Sequence, residues 1–347
     1  MNLSSSSPYG DIAHPHPRHF HHPHPHAPLH TTDIGLFKST LLPSFTLHTT
    51  LDLAAFIASK ATDRAEIKDW CWPSSQVLNA WWSAIGHQVL YHNISPQTAW
   101  SSLSWTEKVL LSAVTLWGTR LFTRVASRTI TRGKDDPRYD QLKKEDPQGF
   151  WTSALLKQYL PEAAFLTLIS LPFTVPFRLT SSTLALDSDV LATVRAFGVA
   201  LFGAGFALEV LADAQLEKHR EERTDLCRTG VWSIVRHPNY LGDTLVHISF
   251  AVLNMANNFN PIVLLGPLTN YIFLRFVGGD KQNEASQETR YRAEDPHKYE
   301  QLQAWRREKN SFWPGFTEVV NPWTWAVVGA GVVGVVVEEG IRGWISR

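Results

Sequence analysis

Apolar residues in this chain gather into blocks too long for half-buried strands, and the blocks recur along most of its length. The clearest run from Leu103 to Phe122, Ala163 to Phe177, Val190 to Leu211, Leu241 to Met255, Pro261 to Val277 and Trp323 to Val337. Weaker blocks lie within Leu36 to Ser59 and Ser75 to Tyr91. No block is an uncharged run of about twenty residues, the length that crosses a bilayer as a helix. Their recurrence carries the reading instead: an all-α, polytopic transmembrane helix bundle of about 6–8 membrane segments. Charges associated with the blocks, Arg195, Glu209 and Arg275, stand near segment ends, where snorkelling to the interface is expected.

The polar stretches give the orientation. Arg120 to Lys144 holds eight lysines and arginines, Lys218 to Arg236 five, and Arg275 to Lys309 eight. Two apolar blocks separate each loop from the next, so all three return to one face, which the positive-inside rule makes cytosolic. Fourteen tryptophans, many beside apolar blocks as at Trp70, Trp81, Trp323 and Trp325, fit interfacial belts. With 32 basic and 32 acidic residues the chain has no net field to draw a nucleic acid. Cys71 and Cys227 have no paired spacing, so neither a disulfide framework nor a zinc site is indicated.

Residues 1 to about 35, centred on HPHPRHFHHPHPH, read as a disordered tail that cannot bury apolar surface. Its histidines alternate with proline, which denies a metal any fixed geometry, and no metal is assigned. No cleaved secretory signal is visible. The integral membrane domain is then 36–347.

The densest chemistry is Arg236 to Asp243, RHPNYLGD. His237 precedes Pro238 and is pushed out of the α region, and Asn239 reads as the N-cap of the apolar helix that follows. Asn239 and Asp243 share a helical face, and Gly242 lets a ligand or another backbone come close. In EVLADAQLEKHR, Glu209 to Arg220, Asp213 and Arg220 face the same way, a polar wall reaching toward Arg236; Glu217 and Lys218 suit a solvated face. Arg120, Arg124 and Arg128 form a basic stripe. Beyond it Arg132 and Lys134, around Gly133, are the candidates for cofactor phosphates, with lipid headgroups the plainer partner. Arg275 and Glu284, on either side of GGDKQN, are weighed as pocket residues. No P-loop, GxGxxG, HExxH or GxSxG is present, so a nucleotide would have to bind inside a helical bundle.

The run GVWSIVRHPNYLGD resembles the C-terminal signature of the steroid 5α-reductase-like superfamily, especially its DUF1295 branch. WGTRLFTRVASRTITRGKDDPRYD, LEVLADAQLEKHR and DKQNEASQETRYRAEDPHKYEQL agree with that branch in order, so the resemblance covers roughly 103–315. It implies a membrane bundle, in the endoplasmic reticulum and open to the cytosol, that holds NADPH against an apolar substrate. The implied reaction reduces a carbon–carbon double bond conjugated to a carbonyl in a steroid or other lipid. Asp213, Arg220, Arg236, Asn239, Asp243 and Arg275 would line the cofactor cavity, with Asn239 and Asp243 fixing the nicotinamide amide. Tyr240 or His237 would supply the donor that stabilises the enolate.

The chain departs from the pattern twice. Trp117 stands where steroid 5α-reductases place a donor tyrosine before the arginine of the upstream helix, and Asp243 stands where glutamate is usual. Integral membrane methyltransferases of the isoprenylcysteine and phospholipid type are similar through RHPxYxG and bind S-adenosylmethionine; they usually carry a later double glutamate, where this chain has the single Glu284. A non-catalytic lipid-binding member is the third reading.

Overall fold

The computed structural model describes residues 34–178, 187–257 and 260–346, so the tail lies outside the described residues except for Ile34 and Gly35, which open the first helix. Among the described residues every regular element is helical. In chain order these are α1 (34–62), α2 (68–92), α3 (Pro96–Ser102), α4 (Trp105–Arg132), α5 (Pro137–Glu145) and α6 (150–169). After them come α7 (Ser188–Glu222), α8 (Pro238–Met255), α9 (265–277), α10 (Asp280–Glu294), α11 (Pro296–Glu308) and α12 (Pro322–Ile345).

Local chemistry fixes the ends of the helices that matter most. Ser104 and Glu107 close a reciprocal capping box at the start of α4, and Gly133, at φ 67°, lets its last turn finish left-handed. At the head of α8 the N-cap is His237, not Asn239 as the sequence suggested. Pro238 takes the first helical position, where its missing N–H costs nothing, and Asn239 falls one place inside the helix.

Eight helices (α1, α2, α4, α6, α7, α8, α9 and α12) run between two ends of the bundle. The three basic loops meet at one of them. Arg124 reaches Glu217 at 2.6 Å, Leu226 N–H bonds Gln301 at 3.0 Å, and Arg236 reaches Glu284 at 3.1 Å. At the opposite end Ser104 bonds Asn257 at 3.2 Å and Trp105 bonds Glu338.

Four helical stretches are long and apolar enough to cross a membrane: Phe37–Thr62, Ser188–Glu222, Pro261–Glu294 and Pro322–Ile345. The weak first block thus joins them. The strong Leu103 block does not, because the second half of α4 carries Arg120, Arg124, Arg128 and Arg132. The chain is an integral membrane protein with α8 at its centre, packed on α7, α9 and α4. Shielded by its neighbours, α8 buries Asp243, Thr244, His247, Ser249 and Asn254 as well as Phe250 and Leu253.

Glycines set how closely the helices approach. A Cβ on Gly331 of α12 would stand 2.5 Å from the Ala200 carbonyl of α7, the small-residue contact that membrane helices favour. Two expected snorkelling charges are instead buried and paired. Arg195 forms an ion pair with Glu338 at 3.1 Å and bonds Glu339 at 2.6 Å, while Glu209 bonds Arg120; a neighbouring helix offers each a nearer partner than the interface does.

Candidate functional site

Polar groups converge where α4, α7, α8 and α9 face one another. Gly205 and Gly242 put α7 and α8 in backbone contact: a Cβ on Gly242 would stand 2.7 Å from the Gly205 carbonyl and 2.8 Å from Glu209 N. Gly242 therefore admits a second backbone, and that contact sets Glu209 beside Asp243. Trp117, fully buried, donates its indole N–H to Asp243 Oδ1 at 3.1 Å, and Asn270 donates to Oδ2 at 2.9 Å. His247 lies one turn further along α8, its Nδ1 3.0 Å from the Asp243 carbonyl and its ring edge-on to Trp117 at 4.8 Å. Arg120 spans to α7, bonding Glu209 Oε1 at 2.7 Å and Asp213 Oδ2 at 2.6 Å. Glu209 Oε2 is buried with no hydrogen-bond partner.

A second cluster clamps the start of α8 to α9, α10 and α11. His237 Nε2 lies 3.0 Å from Glu284 Oε1 and 3.3 Å from Asp280 Oδ1. Arg236 and Arg306 share Glu284 Oε2, at 3.1 and 2.7 Å, and Arg275 bonds Asp280 Oδ2 and, at 2.8 Å, Ser311. Burial pulls the His237 imidazole toward its neutral form, but the bonds to Asp280 and Glu284 outweigh it and its pKa is raised. The imidazole stacks on Tyr240, whose hydroxyl accepts from Asn283 at 3.2 Å. The ligand atoms of His237, Asp280 and Glu284 lie within 4.8 Å of one another, a spacing a cation can bridge. Three guanidiniums already occupy those carboxylates, so the cluster is balanced without an ion.

At the same end of the bundle, the exposed Arg220 lies within electrostatic range of Arg124, Arg128, Arg290 and Tyr291. Arg124 is paired with Glu217, while Arg128, Arg220 and Arg290 have no carboxylate partner among the described residues. Asn239 Oδ1, on the α8 face shared with Asp243, is buried and unpartnered. On the outer side of α8 and α9 an open apolar groove of ≈ 330 Å³ is lined by Thr244, Ile248, Met255, Leu264, Tyr271 and Trp313. Thr244 follows Asp243 in sequence and Tyr271 follows Asn270, so one helix pair forms both the groove and the acid site.

The structure thus gathers Arg236, His237, Arg275 and Glu284 in the clamp with Tyr240 alongside, and it sets Asp213 and Asp243 on two sides of Glu209. Arg220 and Asn239 stand at the open polar end. Arg132 and Lys134 are elsewhere: Arg132 bonds Glu66 at 3.0 Å and Asp136 at 2.9 Å, and Lys134 is exposed beyond the end of α4. Glu209, Arg120, Asn270 and His247 were missed as site residues. The i,i+4 spacing of Glu209 to Asp213 and of Asp243 to His247 was available as a signal; the partners on α4 and α9 were not.

A family model described as "Protein of unknown function (DUF1295)" matches residues 55–304. No curated protein and no solved structure matches the chain.

Proposed function

The chain belongs to the DUF1295 family, and from that premise we propose that it is a membrane-embedded, NADPH-dependent reductase of a conjugated carbon–carbon double bond in a steroid or other lipid. The observation that carries this reading is the set of exposed guanidiniums of Arg128, Arg220 and Arg290, without a carboxylate partner among the described residues, at the basic-loop end of the bundle. Such a cluster suits the several phosphates of NADPH, which arginine engages bidentately. S-Adenosylmethionine, with its sulfonium cation and no phosphate, fits it poorly.

Arg220 stands eleven residues beyond Glu209, about 16 Å along α7, so the rim and the acids suit the two ends of an extended dinucleotide. The bare Asn239 Oδ1 offers an acceptor to a carboxamide, and Asp243 supports it from one turn deeper. Arg236 on Glu284 and Arg275 on Asp280 hold the head of α8 so that Asn239 keeps its place. Bound NADPH supplies the hydride. The groove along α8 and α9, whose lining includes Thr244 next to Asp243, gives an apolar lipid an approach from the bilayer to the helix pair that bears Asp243. The loops that meet at the rim are the basic ones, which supports a site on the cytosolic face, in our reading of the endoplasmic reticulum.

Equilibrium binding of NADPH to the detergent-purified chain tests the assignment. Arg220→Ala is expected to lower affinity at least tenfold, and Asn239→Ala by less, since it removes one hydrogen bond rather than a phosphate contact. Unchanged affinity in both variants would remove the cofactor from this site.

A further inference from the structure

Resting on the reductase reading, we propose that Glu209 donates the proton that completes the reduction, with Asp243 as the fixed charge that keeps the proton on it. The two acids are driven together by the Gly205–Gly242 contact: a Cβ on Gly242 would stand 3.1 Å from Glu209 Cβ. Both are buried, Glu209 at 3% exposure and Asp243 at 7%.

Their oxygens are used differently. Asp243 takes an N–H on each oxygen, from Trp117 and from Asn270, which is the environment of a carboxylate. Glu209 takes Arg120 on Oε1 and nothing on Oε2. The charged and titratable groups around it are Arg120 from α4, Asp213 from its own helix, and Asp243 with His247 from α8. Arg120 is shared with Asp213, so one guanidinium serves two acids while Asp243 stands beside them. Two carboxylates this close in a low dielectric do not both ionise, and a proton settles on the oxygen that has no donor. That oxygen is Glu209 Oε2.

In the reaction the hydride adds to the β-carbon of the conjugated system and leaves an enolate. The O–H bond of Glu209 then breaks as a C–H bond forms at the α-carbon. The substrate gains two hydrogens, the nicotinamide is oxidised, and Glu209 is left as a carboxylate on Arg120, to be reprotonated from water at the Asp213 end. Trp117 acquires a reason in this scheme. Its indole cannot donate a proton to an enolate, but it holds Asp243 as the anion that keeps Glu209 protonated.

Infrared difference spectroscopy of the full chain in detergent reads the proton directly. Wild type at neutral pH is expected to show the C=O band of a protonated carboxyl group. Asp52, buried on α1 with both oxygens unpartnered, and Glu162 and Glu338, each buried with one oxygen unpartnered, are further sources of such a band, and Asp52→Asn, Glu162→Gln and Glu338→Gln identify their components. Glu209→Gln should remove the remaining component while leaving NADPH affinity near wild type and slowing lipid reduction at least ~100-fold, the range of general-acid catalysis. Glu209→Asp, which keeps the acid, should retain the component and part of the activity. A band unchanged in Glu209→Gln, or reduction within a few-fold of wild type, overturns the proposal. Absence of NADPH binding by the wild-type chain overturns the reductase reading, and this proposal with it, whatever the band shows.

Discussion

Two acid clusters lie on either side of the first turns of α8, and they are built on opposite terms. In the clamp, Asp280 and Glu284 face three arginines and His237, and every carboxylate oxygen accepts a donor. In the core, Glu209 and Asp213 depend chiefly on Arg120, with Arg124 3.8 Å from Asp213 at the edge, Asp243 depends on the neutral donors of Trp117 and Asn270, and Glu209 Oε2 has no partner. A satisfied network fixes geometry. An unsatisfied buried acid is costly and persists where its proton or charge has work to do. The comparison assigns positioning to the clamp and chemistry to the core.

The largest expected effect is on the core. Arg120→Met strands the buried Glu209 and the half-buried Asp213 and should lower unfolding stability by about 3–5 kcal/mol, whereas Arg306→Ala, whose partner Glu284 keeps Arg236 and His237, should cost roughly 1 kcal/mol. Chemical denaturation in one detergent compares them; equal losses would erase the distinction. Next in size is Gly242→Ala, which drives a methyl into the Gly205 carbonyl and should cost about 1–3 kcal/mol while separating Glu209 from Asp243. Gly329→Ala in α12, with nothing within 4 Å, is the control and should be neutral or slightly stabilising by thermal unfolding.

A pH effect separates the clusters further. The His237 pKa is raised in the folded chain above its ordinary 6.5, so its contribution to stability is complete below 6.5 and is lost as pH rises through the folded value. The thermal midpoint should therefore fall with rising pH in that window, and His237→Gln should flatten the slope. A slope unchanged in the variant would take His237 out of the clamp's balance. The smallest effect is expected at Lys134. Exposed beyond α4, its replacement by alanine should leave NADPH affinity within about twofold, and a larger loss would extend the phosphate rim along that loop.

Helix content, the common side of the basic loops and the weight of RHPNYLGD were legible in the sequence because each is local or additive. The core was not. Glu209 looked like an interfacial charge because periodicity along α7 says nothing of Arg120, distant in sequence on α4. Trp117 read as a lost tyrosine because its use, an N–H on Asp243, needs the helix pairing set by two glycines. Asn239 looked like a cap because the rule that Pro238 obeys, proline at the first helical position, moves the cap to His237. Arg132 and Lys134 followed the basic stripe correctly along the sequence, but beyond Arg128 the helix turns that stripe toward Glu66 and Asp136.

The central claim is hydride transfer to a lipid, and isotope transfer tests it most directly. Membranes containing the chain are incubated with NADPH tritiated on the transferred face of the nicotinamide and, separately, with methyl-labelled S-adenosylmethionine, and extracted lipids are counted. The account predicts tritium in lipid, dependent on Arg220 and Glu209, and no methyl label. Methyl label without tritium, or neither label, would contradict it.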